Sequence, residues 1–209
     1  FDKLFPFFYK LTRKILFRYA AKNAEKVFTV SKYSKSRIEK HYNINPEKIK
    51  ITFNGINDTF HHFKASKNQS KDYIFKKYGL ENYLLYVSRI EPRKNHISLI
   101  KTILNTSINN SHKVVFIGEN SLIPDFEKII SKANQGNEKC IYWFRNVELQ
   151  DLLHFYNAGE AFIFPSLAEG FGIPPLEAAI MNTPVLCSNQ TAMSDFVFFE
   201  PYSFDPRSE

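Results

Sequence analysis

The sequence predicts an α/β chain built on a doubly wound, Rossmann-like parallel sheet. Three observations carry this expectation. Short apolar runs recur from Tyr83 onward and read as buried strands. Helical patterns separate them, and strand–helix alternation at this spacing argues a parallel sheet with right-handed crossovers. Finally, 209 residues with 44% hydrophobic content suffice for one good core and part of another.

The elements follow in order. Residues 4–22 read as a helix, with Leu4, Phe7, Phe8, Leu11, Ile15 and Tyr19 at helical spacing and Lys10, Arg13, Lys14 and Arg18 elsewhere. Val27–Val30 is a short strand, and Ser31 or Ser34 caps a helix that runs through Tyr42. Ile49–Phe53 is a second strand, closed by the Asn54-Gly55 turn. Residues 57–71 are polar without periodicity and are expected to be a linker or loop. Strands are expected at Leu84–Ser88, Val114–Gly118, Cys140–Phe144, Ala161–Pro165 and Val185–Ser188. The intervening helices are Ile97–Leu104, Phe126–Ala133, Leu149–Tyr156 and Leu176–Met181.

Composition narrows the function classes. No run of 18 apolar residues occurs, so no spanning helix is expected. Phe1 is followed by charged residues and no small-residue cleavage site, so no secretory signal is expected there. Cys140 and Cys187 lie in apolar runs and read as reduced core thiols, without metal-ligand spacing. The net charge of +7 is uneven: residues 1–50 hold 13 Lys/Arg against 4 Asp/Glu, the remainder 15 against 17. A basic amino-terminal region fits either a solvated helix face or contact with anionic lipid, and no nucleic-acid module accompanies it.

The most informative stretch is Pro165–Glu177, PSLAEGFGIPPLE. It follows the apolar run Ala161–Phe164, turns through Gly170 and Gly172, and starts a helix near Pro174 or Pro175, where a missing N–H costs nothing. Free amides and positive dipole at a helix start suit phosphate. The flanking carboxylates, Glu169 and Glu177, instead accept hydrogen bonds from hydroxyls. A ligand both anionic and rich in hydroxyls satisfies both, and nucleotide sugars have that character. Arg89 and Lys94 add fixed cations after an earlier strand, Arg as a planar fork and Lys as a point charge. The chain contains no Asp-x-Asp, so cations and helix dipole are expected to neutralise a leaving diphosphate without a metal. None of the six histidines pairs with a nucleophile, and all are read as structural or solvated.

Pro165–Glu177 resembles the E-x7-E signature of the GT4 family of retaining glycosyltransferases, which have the GT-B fold. Four further segments resemble family motifs in the family's order: Phe28–Ser34 (FTVSKYS), Phe53–Asn57 (FNGIN), Val87–Asn95 (VSRIEPRKN) and Pro184–Asn189 (PVLCSN). Ser88 stands at a usual glycine, Asn182 at another, and Trp143–Asn146 (WFRN) replaces a glycine-ended loop near which relatives hold the nucleotide base. The resemblance implies a fragment of a two-domain enzyme, with residues 1–56 the end of the acceptor domain and 57–209 a truncated donor domain. It implies sugar transfer with retention from a nucleoside-diphosphate sugar, without cofactor or metal, to a glycan or lipid-linked acceptor in surface polysaccharide synthesis. Arg89 and Lys94 would contact the diphosphate, Glu169 the donor sugar and Glu177 the ribose, while the backbone of Gly170, Phe171, Gly172 and Ile173 would approach sugar or phosphate. Acceptor-side residues would lie in the other domain, leaving the fragment inactive. A cytoplasmic location at the inner membrane face is expected. The other readings are a non-catalytic binding module of the same fold and a nucleotide-sugar epimerase.

Overall fold

The computed structural model describes residues 7–135 and 139–208. Residues 4–6 of the expected first helix, and Glu209 at the end of the expected donor domain, lie outside the described residues. The elements are α1 (Phe7–Asn23), β1 (Val27–Thr29), α2 (Lys32–Tyr42), β2 (Ile49–Ile51), α3 (Asp58–His62), α4 (Lys67–Tyr78), β3 (Tyr83–Val87) and α5 (His96–Asn105). There follow β4 (Lys113–Ile117), α6 (Phe126–Ala133), β5 (Ile141–Phe144), α7 (Leu149–Ala158), β6 (Ala161–Phe164), α8 (Ile173–Ile180), β7 (Val185–Ser188) and β8 (Ser203–Phe204).

Six strands form one parallel sheet in the order β5-β4-β3-β6-β7-β8. The chain winds outward from β3 to β5, returns to lay β6 against the other side of β3, and continues to β8. This is the expected doubly wound α/β fold, with its topological switch between β3 and β6. Val114, Val115, Phe116 and Ile117 are buried in succession, which requires cover on both faces of the sheet. Leu85, Tyr86, Phe116, Phe162 and Phe164 form the centre of the core. Cys140 and Cys187 are buried free thiols, as expected.

A separate parallel pair, β1 with β2, joins Val27–Thr29 to Ile49–Ile51. Ser31 caps α2, its side chain accepting from the Ser34 amide at 3.0 Å. Asp195, 163 residues beyond Lys32, reinforces that cap, its Oδ2 accepting from the amides of Lys32 (2.7 Å) and Tyr33 (3.4 Å). So the first turn of α2 is fastened to the main sheet's side of the molecule.

The expected linker at 57–71 is corrected: it contains α3 and the start of α4. Asn57 caps α3 through the Thr59 amide at 2.9 Å. Ser66 and Gln69 form a reciprocal capping box on α4, and Gly79 closes it in the left-handed region at φ 65°. The helix buries only Ser70 and Ile74, so its apolar periodicity is faint. It docks through polar groups instead. Asp151 of α7 accepts from Tyr73 (2.6 Å), Tyr78 (2.7 Å) and Lys77 (2.7 Å). Burial pushes the Asp151 carboxyl up, but these hydrogen bonds together hold it below its ordinary value.

Candidate active site

In a doubly wound sheet the crevice lies beyond the carboxyl ends of the strands at the switch point. Here the segments leaving β3 and β6 meet there. After β3 the chain makes a tight turn, Pro92–Lys94, and after β6 it runs through Pro165–Gly172. The Leu167 amide donates to the Arg93 carbonyl at 2.8 Å, locking one segment against the other. The Tyr86 hydroxyl holds the Lys94 carbonyl at 2.5 Å.

This framework brings two of the expected residues into contact. Lys94 Nζ donates to Glu169 Oε1 at 2.6 Å, and Ser166 Oγ donates to the same oxygen at 2.6 Å. Lys94 is 7% exposed, with its ammonium 5.0 Å from the Phe164 ring centre. Burial lowers its pKa, and the Glu169 carboxylate opposes that shift. Lys94 is thus a buried cation held by a carboxylate, not a solvated surface lysine.

Arg93, to which the motif assigned nothing, completes the cluster. Its Nη1 donates to Glu169 Oε2 at 2.9 Å and to the Ala168 carbonyl at 3.0 Å. Its Nη2 forms an ion pair with Glu91 Oε1 at 2.6 Å. The missed signal was position: Arg93 and Lys94 are adjacent on a tight turn, so both reach the same carboxylate. Arg89, by contrast, is exposed and contacts neither Lys94 nor Glu169; its guanidinium pairs with no described residue. It stands at the same carboxyl edge, just past β3.

Thr191 is a second residue the sequence did not single out. Its hydroxyl accepts from the Glu169 amide at 2.8 Å, and it occupies the left-handed region at φ 58°. For a β-branched residue this costs about 1–3 kcal/mol, so surrounding structure over-determines the conformation beside Glu169.

The glycine turn divides by role. Gly172 has φ 107°, a backbone conformation that favours glycine, and a Cβ there would sit 2.4 Å from Met193 Sδ, so the Met193 side chain would also have to shift. A Cβ on Gly170 would meet nothing within 4 Å. The Phe171 side chain belongs to the core, edge-on to Phe196 at 5.5 Å. Only the backbone of Gly170, Phe171, Gly172 and Ile173 is left for a ligand, and these four amides donate to no described residue. The helix they open, α8, starts at Ile173, one or two residues before the expected start near Pro174 or Pro175.

Glu177 lies apart from the Lys94–Glu169 cluster. Its Oε2 accepts from the buried Tyr156 hydroxyl at 2.8 Å. Burial lifts its carboxyl above the ordinary range, against the pull of that hydrogen bond. His96 reads as structural, as expected. It stacks on Tyr86 at 4.4 Å, its Nε2 is 3.2 Å from Ser88 Oγ, and burial with the neighbouring Lys94 charge pushes it down to about 3.

Two clefts open on this side of the molecule, and only the second is lined by a residue of the cluster. One, of about 650 Å³, lies at the carboxyl ends of β4 and β5 between Glu119, Trp143, Arg145 and Asn146. The other, of about 470 Å³, has Glu169 and Gly170 on one wall and α2 on the opposite wall. Among the described residues no group of three or more His, Cys, Asp or Glu is arranged to hold a metal ion.

The family model for glycosyl transferases group 1 matches residues 68–198, and that for glycosyltransferase family 4 matches residues 2–60. The O-antigen chain mannosyltransferase RfbU of Salmonella typhimurium is 31% identical over 88% of this chain and 49% of its own length. The O-antigen chain mannosyltransferase B of Escherichia coli is 28% identical over 84% and 46%. The chain thus spans about half the length of the curated relatives it matches. Among solved structures, a glycosyltransferase from Rickettsia africae superposes with a TM-score of 0.76 at 19% identity, covering 94% of this chain and 53% of that one. Anabaena HepE, in complex with UDP-glucose, superposes with a TM-score of 0.72 at 18% identity, covering 88% and 51%. Both share the fold.

Proposed function

The chain belongs to the group 1 glycosyl transferases, and on that premise we propose that it is the donor-binding part of an enzyme that transfers a sugar, with retention, from a nucleoside-diphosphate sugar to a glycan or lipid-linked acceptor. Residues 57–209 form the donor domain and residues 1–56 the end of the acceptor domain. The mannosyltransferase relatives support surface polysaccharide synthesis as the setting.

The observation that carries this reading is the pairing of Lys94 with Glu169 at the switch point, beside four unpartnered amides. Lys94 spends one ammonium N–H on Glu169 and keeps two for an anion. With Arg89 and the amides of the glycine turn, it neutralises charge on the departing diphosphate, the work a metal ion does elsewhere. Glu169 receives hydroxyls of the donor sugar, and Glu177 receives the ribose hydroxyls. The cleft beyond β4 and β5 is of a size to take the base.

Attack on the same face of the sugar as the departing diphosphate accounts for retention. The 209-residue chain alone binds donor without turning it over, since the acceptor domain supplies half the cleft. The exposed apolar residues of α1, Leu16 and Tyr19 among them, lie beside Lys14 and Arg18 and support contact with an anionic inner membrane face.

Calorimetric titration with UDP, GDP and ADP tests the donor assignment. At least one is expected to bind; none binding at concentrations on the order of millimolar contradicts it. Glu177→Gln is expected to weaken the nucleoside diphosphate about tenfold or more by removing a charged acceptor, whereas Glu169→Gln leaves it nearly unchanged. Equal losses would merge the two roles into one generic polar pocket.

A further inference from the structure

The cleft between Glu169 and α2 has a chemistry that the donor reading does not use. Tyr33, Arg37 and His41 recur every four residues along α2, and Ser34, Ile38 and Tyr42 run beside them, so all six share one helix face. That face lines the 470 Å³ cleft opposite Glu169 and Gly170. The two walls are held together at one end. Asp195 caps the first turn of α2, and Ser34 Oγ donates to the Gly170 carbonyl at 3.3 Å. From there the face runs outward, with Arg37 about 6 Å and His41 about 12 Å beyond Tyr33 along the helix axis.

Resting on the donor reading, we propose that this face of α2 is the acceptor-binding surface and that Arg37 selects an acceptor sugar bearing an oxyanion, either a phosphate or a carboxylate. Two features of the cleft support it. Tyr33 and Tyr42 offer ring faces and hydroxyls, which suit the mixed apolar and hydroxylated surface of a sugar. Arg37 makes no hydrogen bond or ion pair with any described residue, so its planar fork is open to a bidentate oxyanion. The donor diphosphate does not need this cation, because Lys94, held by Glu169, and Arg89, just past β3, serve it on the proposed donor side. An acceptor hydroxyl at Glu169 and Gly170 therefore places the anion about one helical turn outward.

The test titrates the 209-residue chain with glucose 1-phosphate, methyl glucuronide and methyl glucoside. Amide shifts on α2 are followed by NMR, with the nucleoside diphosphate that binds present at saturation so that the donor site is filled. Both anionic sugars are expected to shift α2, with methyl glucoside at least about tenfold weaker. Arg37→Gln is expected to cost the anionic sugars about tenfold to a hundredfold, leave nucleoside diphosphate affinity unchanged, and be partly rescued in Arg37→Lys. Tighter binding of the phosphate identifies a phosphate-linked acceptor, and tighter binding of the carboxylate a uronate-bearing glycan. Equal binding of all three sugars, or no effect of Arg37→Gln, overturns the proposal. If no nucleoside diphosphate binds, the donor reading fails by itself, and Arg37-dependent binding of the anionic sugars is then read without it.

Discussion

Glu169→Leu is expected to destabilise the chain by about 3–5 kcal/mol, the cost of removing one partner from a buried ion pair. Glu169 is the acceptor shared by Lys94, Arg93 and Ser166, and the side chains of Lys94 and Glu169 are each 9% exposed. Without the carboxylate, two cations remain together in a site where burial already disfavours the charge on Lys94. Glu169→Gln keeps acceptor and shape and should lose much less. The double variant Glu169→Leu with Lys94→Met should recover a large part of the loss, because an apolar pair of similar volume carries no stranded charge. Urea unfolding measures all three. A loss below about 1 kcal/mol for Glu169→Leu, the range of an exposed pair, would mean that the cluster is a solvated surface feature.

Gly118→Ala is expected to cost a comparable amount, about 2–6 kcal/mol, from a backbone region closed to other residues and from overpacking. Gly118 ends β4 at φ 142°, and a Cβ there would lie 2.1 Å from the Ser88 carbonyl oxygen. That oxygen belongs to the backbone leaving β3, so no side chain can swing away to make room. Its neighbours are fixed by ladder bonds, Ser88 N to Ile117 O at 2.9 Å and Gly118 N to Phe144 O at 2.9 Å. The methyl group would therefore spread the carboxyl edge on which Arg89 stands. Gly170→Ala is the control: its Cβ would enter open space, so stability should change little. Thermal unfolding that leaves Gly118→Ala level with the parent would show that this edge yields.

What could be read from the chain beforehand follows physical lines. The strands of the main sheet announce themselves because strands covered on both faces are nearly continuous in apolar residues, as Val114–Ile117 is. Helix α4 does not, since it docks by Tyr73, Lys77 and Tyr78 on Asp151 rather than by an apolar stripe. Its Ser66–Gln69 capping box and Gly79 were the local signals available. Strand β8, two residues long, exists through pairing with β7 and has no signature of its own. Within the site, Glu169 was legible as a residue past a strand end and Lys94 as a fixed cation, while their contact depends on β6 lying beside β3. The shared grip of Arg93, the left-handed Thr191 and the fastening of α2 by Asp195 join residues far apart in sequence. No local pattern reports them.

On the proposed function, Lys94, held by Glu169 at the switch point, is part of a diphosphate site. Calorimetry on Lys94→Ala, with Arg89→Ala in parallel, tests it against a nucleoside diphosphate and the corresponding nucleoside. A loss of about tenfold to a hundredfold is expected for the diphosphate, the worth of a charge-assisted contact, with nucleoside binding unchanged. An unchanged diphosphate affinity, or an equal loss for both ligands, would contradict it.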